Sequence, residues 1–440
     1  MFRNITITRR DFVRGTTAAL AGVPCVVPSS ALGLDEKEAP SNRVALGCIG
    51  VASRGGYNMR RLMHFGGQVV AVCDVKPKWL ELAAAGAKLP KSAAHSDFRD
   101  LLARREVDAV MIAPPDHWHA YMAVAAAKAG KDIYLEKPMG TTIAECQAIR
   151  KAVLASKCVF MHGTEQRGQP GVRKVCELVR NGRLGKLHTI TVATPGGQES
   201  PPQREQPIPK GFDYDMWLGP APEAFFTAGR TGRIDPKKRL PLPWERGFYF
   251  ISDYTPAGFI GNWGIHHLDI AQWALDADNT GPVEIEGRAT FPKPDNFYDT
   301  PLTWHIEYKY ANGVKMTFTD TSENPQGFRF EGTEGWIFKP HSRPASANPN
   351  TLLDSVIGPD EIHLYETDED NHNFLECVKS RKATCSPIEA AVRSTTVGYL
   401  GFVSAKLGRK LHWDPEKERF KEDPEADKML ARESRAPWRV

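Results

Sequence analysis

Short apolar runs separated by longer amphipathic stretches fill the chain from Val44 to Met161. The runs Val44–Ile49, Val69–Cys73, Ala109–Ala113, Ile133–Leu135 and Val159–Met161 have the length and β-branched content of buried strands. Between them, stretches such as Trp118–Ala129 and Ile143–Leu154 carry apolar residues at helical spacing. Strand–helix alternation over about 120 residues predicts a doubly wound parallel sheet. Past residue 164 the pattern changes. Thr303–Tyr310 alternates apolar and polar, Asn312-Gly313 follows, and Val314–Thr319 alternates again, which predicts a hairpin. Leu187–Ala193 and Val283–Phe291 read as further strands of an antiparallel sheet whose outer face must be covered by helices or a partner. Glu389–Leu407 reads as an amphipathic helix, and the charged tail to Val440 as a strap over a neighbouring surface.

The first strand runs into Gly50-Val51-Ala52-Ser53-Arg54-Gly55, a GxGxxG turn with Ala52 at the second glycine position. Such a turn makes a tight bend, lets backbone approach a pyrophosphate, and packs the following helix on the sheet. The helix from about Arg54 would offer its N-terminal amides to the phosphates. Asp74 ends the second strand, where a carboxylate accepts from the adenosine ribose hydroxyls. These features predict an N-terminal Rossmann domain over residues 34–163, followed by a second α+β domain over residues 164–440 with a large, mostly antiparallel sheet. Asp74 favours NAD; Lys76 beside it leaves NADP open through a 2′-phosphate contact. Gly50, Ala52, Ser53, Arg54, Gly55 and Asp74 are the cofactor contacts expected on these grounds.

The fifth strand ends in Glu136-Lys137-Pro138, and the fourth in Pro114-Pro115-Asp116-His117-Trp118-His119. Further on stands Gly261-Asn262-Trp263-Gly264-Ile265-His266-His267-Leu268-Asp269. With the glycine turn, these motifs resemble the glucose–fructose oxidoreductase/inositol dehydrogenase/MocA family over nearly the whole chain. The resemblance implies that Lys137 sits between substrate and cofactor, and that Pro114, Asp116, His119 and Glu136 lie beside the cofactor. It aligns His266 with the family's acid/base histidine and Asp269 with the last aspartate of its Asp-x-x-x-His-x-x-Asp motif. Asn262 takes the place of the first aspartate, and an amide can neither accept a proton nor carry charge. Lys137, His266 and Asn262 are therefore the expected catalytic set. Gln166 and Arg167, after the sixth strand, are expected to line the cleft, Gln166 toward the cofactor. Arg167, Asn262, His266, Asp269 and Lys137 are expected to meet substrate. His267, about 100° round the helix from His266, points elsewhere. Asp116 also reads as a plain helix cap. The family also implies a homodimer or homotetramer through the second sheet.

Composition narrows the partners. The 440 residues carry a net charge of +4 with no basic cluster, which excludes a nucleic-acid footprint. The eight cysteines show no CxxC, and no histidine stands at metal-ligand spacing from a pair, so neither a disulfide framework nor a metal site is expected. The N-terminus reads Arg9-Arg10-Asp11-Phe12, a short weakly apolar run, then Ser29-Ser30-Ala31, the layout of a twin-arginine export signal over residues 1–33. Pro24 before Cys25 argues against a lipoprotein, and no run is long enough for a membrane span. A Pro- and Gly-rich insertion from Pro195 to Gly247, with Trp217, Phe225, Phe226 and Trp244, followed by Phe248-Tyr249-Phe250 and Tyr254, offers aromatic faces that either stack on a sugar or anchor the insertion. The expectation is an exported, periplasmic NAD(P)-dependent oxidoreductase of a sugar, glycoside or cyclitol hydroxyl. Because that compartment lacks a nicotinamide pool, the cofactor is expected to stay bound. A glycoside hydrolase or lyase working through a transient keto-sugar, and a non-catalytic sugar-binding protein, are the alternatives.

Overall fold

The computed structural model describes residues 42–232 and 247–440. The expected export signal, with Arg9, Arg10 and Cys25, lies outside them, as does Trp244. Residues Val44–Val440 form one compact unit. No described helix is long and apolar enough to cross a membrane.

The first sheet contains β1 (Ala45–Ile49), β2 (Gln68–Cys73), β3 (Ala94–His95), β4 (Ala109–Ile112), β5 (Asp132–Glu136) and β6 (Phe160–Gly163). All its pairs are parallel, in the order β3-β2-β1-β4-β5-β6. Its strands are buried on both faces, as parallel strands covered by helices must be. The order reverses between β1 and β4, and ligands bind at that crevice beyond the strands' carboxyl ends.

The second sheet contains β7 (Leu187–Thr194), β8 (Glu284–Thr290), β9 (Thr303–Lys309), β10 (Lys315–Asp320), β11 (Gly327–Gly332), β12 (Gly335–Pro340), β13 (Ser346–Asn348), β14 (Leu411–Asp414) and β15 (Arg419–Phe420). Its order is β13-β12-β11-β7-β10-β9-β8-β14-β15, antiparallel except for β7 with β10. The Asn312-Gly313 turn joins β9 to β10 with Gly313 at φ +88. Trp304, Ile306 and Tyr308 point into the core, whereas Glu307 and Lys309 point out.

The helix Ile388–Leu407 differs from its expected amphipathic form. Fourteen of its 20 residues are buried, because it lies between the two sheets and has no solvent face of ordinary width. Small residues permit this. A Cβ on Gly401 would meet the Tyr308 hydroxyl at 2.2 Å. Tyr308 in turn donates to the carbonyl of Val397 on the same helix.

The first sheet's core is completed from far along the chain. Phe374, Leu375, Cys377 and Val378 of the helix Asp370–Ser380 pack with Val44, Leu46, Cys48, Ala109 and Met111. Ala391 and Val392 pack with Val110 and Ile112, which alternation along β4 puts on the opposite face. The C-terminal tail folds back on its own chain. The Trp438 ring stands edge-on to Trp118 at 4.6 Å, and Arg435 binds Asp215.

Replacing Gly401 by leucine should overpack the helix–sheet contact and lower stability by about 1–3 kcal/mol. The shift in urea midpoint, at unchanged slope, measures it.

Candidate active site

A cleft of about 460 Å³ opens at the carboxyl ends of the first sheet's strands and runs to the mouth of the second. One end is the glycine turn. Gly50 has φ +74, where a Cβ would lie 2.5 Å from the Pro114 nitrogen. A Cβ on Gly55 would lie 1.8 Å from the Gly50 carbonyl oxygen, so glycine is required where helix Ser53–His64 meets the turn. Ala52 sits at φ −77 and ψ 165, extended backbone that any residue adopts, which is why alanine stands there without strain. Asp74 accepts from the amides of Val51 and Lys76, so its carboxylate is fixed at the cleft edge; burial raises it above its usual range against the pull of those bonds. Lys76 is turned away to the Thr231 carbonyl at 2.7 Å, and burial brings its amine down to about 8. Glu136 accepts from Arg54 at 2.9 Å and Asn58 at 2.7 Å. These partners hold it below its usual range against burial, the larger opposing effect. Arg54 also meets Glu165, whose carboxyl burial pushes up to about 7.

Beyond the turn, three side chains from three elements form one hydrogen-bond chain. Lys137, just past β5, donates to Asn262 Oδ1 at 2.7 Å. Asn262 Nδ2 donates to Asp116 Oδ2 at 2.7 Å, and Thr255 donates to the same oxygen. The amide orientation is dictated by its neighbours, since an ammonium only donates and a carboxylate only accepts. An aspartate at 262 would set a second carboxylate against Asp116, and two such groups cannot both ionise. Asp116 is thus turned to Asn262 and Thr255 rather than capping a helix. Burial raises its carboxyl, while His119 and Lys137 pull it down. His266 Nδ1 lies 2.9 Å from the Thr164 carbonyl, so Nδ1 carries the proton and Nε2 is left as an acceptor. Burial, with the Lys137 charge adding to it, lowers His266 well below the usual imidazole range, which keeps the ring neutral. His119 is held between the carbonyls of Pro114 and Pro138.

Gly50, Ala52, Ser53, Arg54, Asp74, Pro114, Asp116, His119, Glu136, Lys137, Asn262 and His266 all border this cleft. Four expected residues do not: Gly55 packs behind the turn against the Gly50 carbonyl, and Arg167, Asp269 and Gln166 lie away from the cleft wall. Arg167 is 2% exposed and pairs with Asp269 at 2.8 Å and Asp278 at 2.7 Å. Asp269 is fully buried and accepts from Arg167, Thr164 and Ser394. Both are consumed by a charge network that joins the loop after β6 to the helices Ile265–Ala274 and Ile388–Leu407. Asp269 is linked to His266 through Thr164. Gln166 is buried outside the cleft wall, and its neighbour Glu165 stands there instead.

Most insertion aromatics serve as anchors. Tyr214, Trp217, Phe226, Phe250 and Tyr254 belong to the second domain's core. Tyr249 reaches the cleft, with Lys137 Nζ 5.8 Å from its ring centroid. Trp217 both anchors the insertion and borders the cleft, and residues to which the sequence motifs assign no role border it too: Glu165, Trp263 and His341, and Met216 and Thr231. His341 follows β12 at no motif spacing, so nothing in the pattern marks it.

A glycine turn, a carboxylate at the cleft edge after β2 and a lysine and a histidine in the same cleft beyond a β3-β2-β1-β4-β5-β6 sheet define a dinucleotide-dependent oxidoreductase architecture. The chain belongs to the Gfo/Idh/MocA oxidoreductase family: residues 44–164 match its NAD-binding Rossmann fold and residues 170–440 its C-terminal alpha/beta domain. Among curated relatives, a glycosyl hydrolase family 109 protein of Shewanella pealeana is 30% identical over 41% of this chain and 44% of its own length. A glycosyl hydrolase family 109 protein of Solibacter usitatus is 36% identical over the same shares. An alpha-N-acetylgalactosaminidase of Shewanella oneidensis is 30% identical over 41% and 44%. The chain thus matches less than half the length of these relatives. Two solved structures share the fold. An aldose-aldose oxidoreductase of Caulobacter crescentus, complexed with glycerol, has a TM-score of 0.61 at 17% identity over 84% of this chain and 99% of its own. A levoglucosan dehydrogenase with NADH and levoglucosan has 0.60 at 17% over the same shares.

Gly55→Ala should abolish nucleotide uptake while the second sheet stays folded; titration with NAD followed by tryptophan fluorescence and circular dichroism checks both. Arg167→Ala leaves Asp269 buried with its guanidinium partner gone. It should cost about 3–5 kcal/mol in denaturant unfolding.

Proposed function

We propose that this protein is an NAD-dependent oxidoreductase acting on a hydroxyl of a sugar, glycoside or cyclitol, with its cofactor retained through turnover. The observation that carries the reading is the Lys137–Asn262–Asp116 chain standing beside a neutral His266 at the open end of the nucleotide cradle. The cradle fits NAD. Gly50, Ala52 and Gly55 shape the turn, Asp74 is fixed at the cleft edge where a ribose hydroxyl would bond, and the Lys76 amine is spent on the Thr231 carbonyl. Bound there, the nicotinamide would supply reversible two-electron exchange at a carbinol carbon. The protein handles the proton. His266 Nε2, with its proton held at Nδ1 by Thr164, is the acceptor for the hydroxyl hydrogen. The Lys137 ammonium, aimed by Asn262, stabilises the oxygen as its charge builds. Asp116 balances that cation at one amide's remove.

Retention is supported by the insertion. Met216, Trp217 and Thr231 wall the cleft at the Asp74 end, and Thr231 is tied to Lys76. The twin-arginine layout supports export to the periplasm, where a held cofactor is required. The outward Glu307, Lys309 and Arg329 of the second sheet offer a polar face for a homodimer or homotetramer. The names of the curated relatives favour a second reading, glycoside cleavage through a transient keto-sugar, on the same residues.

Purified protein, dialysed and then denatured, should release stoichiometric NAD(H) by mass spectrometry. NADP(H) would reverse the reading of Asp74, and no nucleotide, with none taken up, would overturn the proposal. Lys137→Ala should keep the nucleotide and lose about 10²–10⁴-fold in turnover across a panel of sugars and glycosides.

A further inference from the structure

We propose that His341, on the turn leaving β12, is a second substrate-facing acceptor in this cleft, positioned by His267, and that it selects polyols bearing a second hydroxyl near the one oxidised. This rests on the sugar-oxidoreductase reading. His267 has one ring nitrogen, Nδ1, 3.0 Å from the Ala193 carbonyl, and the other, Nε2, 3.0 Å from His341 Nδ1. A carbonyl only accepts, so His267 Nδ1 carries its proton and Nε2 is a lone pair. His341 Nδ1 must then be the donor, and the neutral His341 ring keeps its lone pair at Nε2. Burial brings His267 down to about 3 and lowers His341 as well, so neither ring gains a second proton at neutral pH.

His341 borders the cleft, and its hydrogen bond among the described residues is made through Nδ1, which leaves Nε2 for a ligand. Its ring centroid lies 6.0 Å from that of His266. The Trp263 indole stands edge-on to both, at 5.2 Å from His266 and 5.0 Å from His341. Two imidazoles, one with its tautomer set by the Thr164 carbonyl and the other by His267, therefore offer acceptors to one small space walled by an apolar ring. A monofunctional alcohol uses one of them. A polyol uses both, and a site built to bond a hydroxyl discriminates against the analogue lacking it.

The test is run on NAD-loaded protein. Diethyl pyrocarbonate labelling, mapped by peptide mass spectrometry, should modify His341 and spare His267, and D-glucose, D-galactose or myo-inositol should slow labelling at His341. His341→Phe should raise KM for the polyol turned over by about tenfold, with less change in kcat, while His341→Gln, which keeps an acceptor, restores it. His267→Gln should shift His341 labelling without unfolding the protein. An unlabelled His341 beside reactive surface residues His188 and His412 overturns the proposal. So does a His341→Phe variant that binds polyols as the wild type does. Both results leave the sugar-oxidoreductase reading standing if the wild type is active. Polyols that neither protect nor react with the wild type sink that reading, and this proposal with it.

Discussion

A buried amide that keeps two opposite charges apart sets the geometry of the site. Asn262 holds the Lys137 ammonium with its oxygen and the Asp116 carboxylate with its nitrogen. In direct contact, the two ions would form an ordinary salt bridge, and the lysine would point at the carboxylate rather than along the cleft. The amide keeps the attraction and fixes the direction. It also ties the fold together, because Asp116 leaves β4, Lys137 leaves β5 and Asn262 belongs to the second domain.

The same logic of one polar network per junction recurs behind the site. Arg167, Asp269, Asp278, Thr164 and Ser394 hold the loop after β6 against two helices. Thr164 belongs to both systems: its hydroxyl bonds Asp269 and its carbonyl sets the tautomer of His266. Rigidity in the charge network is thereby handed to the proton acceptor without any charged group entering the cleft.

How much of this could be read from the chain depends on range. The strands, the glycine turn and Asp74 are legible because each belongs to a local pattern whose period or spacing carries a physical requirement, whereas Lys137, Asn262 and His266 are legible through the resemblance of their motifs to the family. Arg167 and Asp269 were misplaced because charge at a cleft-facing loop and charge in a buried pair look alike until the partner is known; Asp278 supplies it for Arg167. Gln166 and Glu165 differ by one backbone step, which a pattern resolved to two or three residues cannot separate. The helix Ile388–Leu407 reads as amphipathic because Ser394, Thr395, Thr396 and Ser404 count as polar, although short hydroxyl side chains are readily buried when a carbonyl or carboxylate lies in reach, as Ser394 shows. His341 was invisible because its significance comes from His267, 74 residues away.

The helix Asp370–Ser380 and the start of the helix that follows it fill both faces of the sheet built by residues 45–163. The nucleotide cradle therefore rests on a core whose last pieces are translated some two hundred residues after its first domain ends. A nascent chain still on the ribosome lacks Phe374, Leu375, Ala391 and Val392 until the residues up to Val392 have emerged. A finished nucleotide cradle in this sense reports on distant synthesis: its core closes only on a chain made at least as far as Val392 and folded back upon itself.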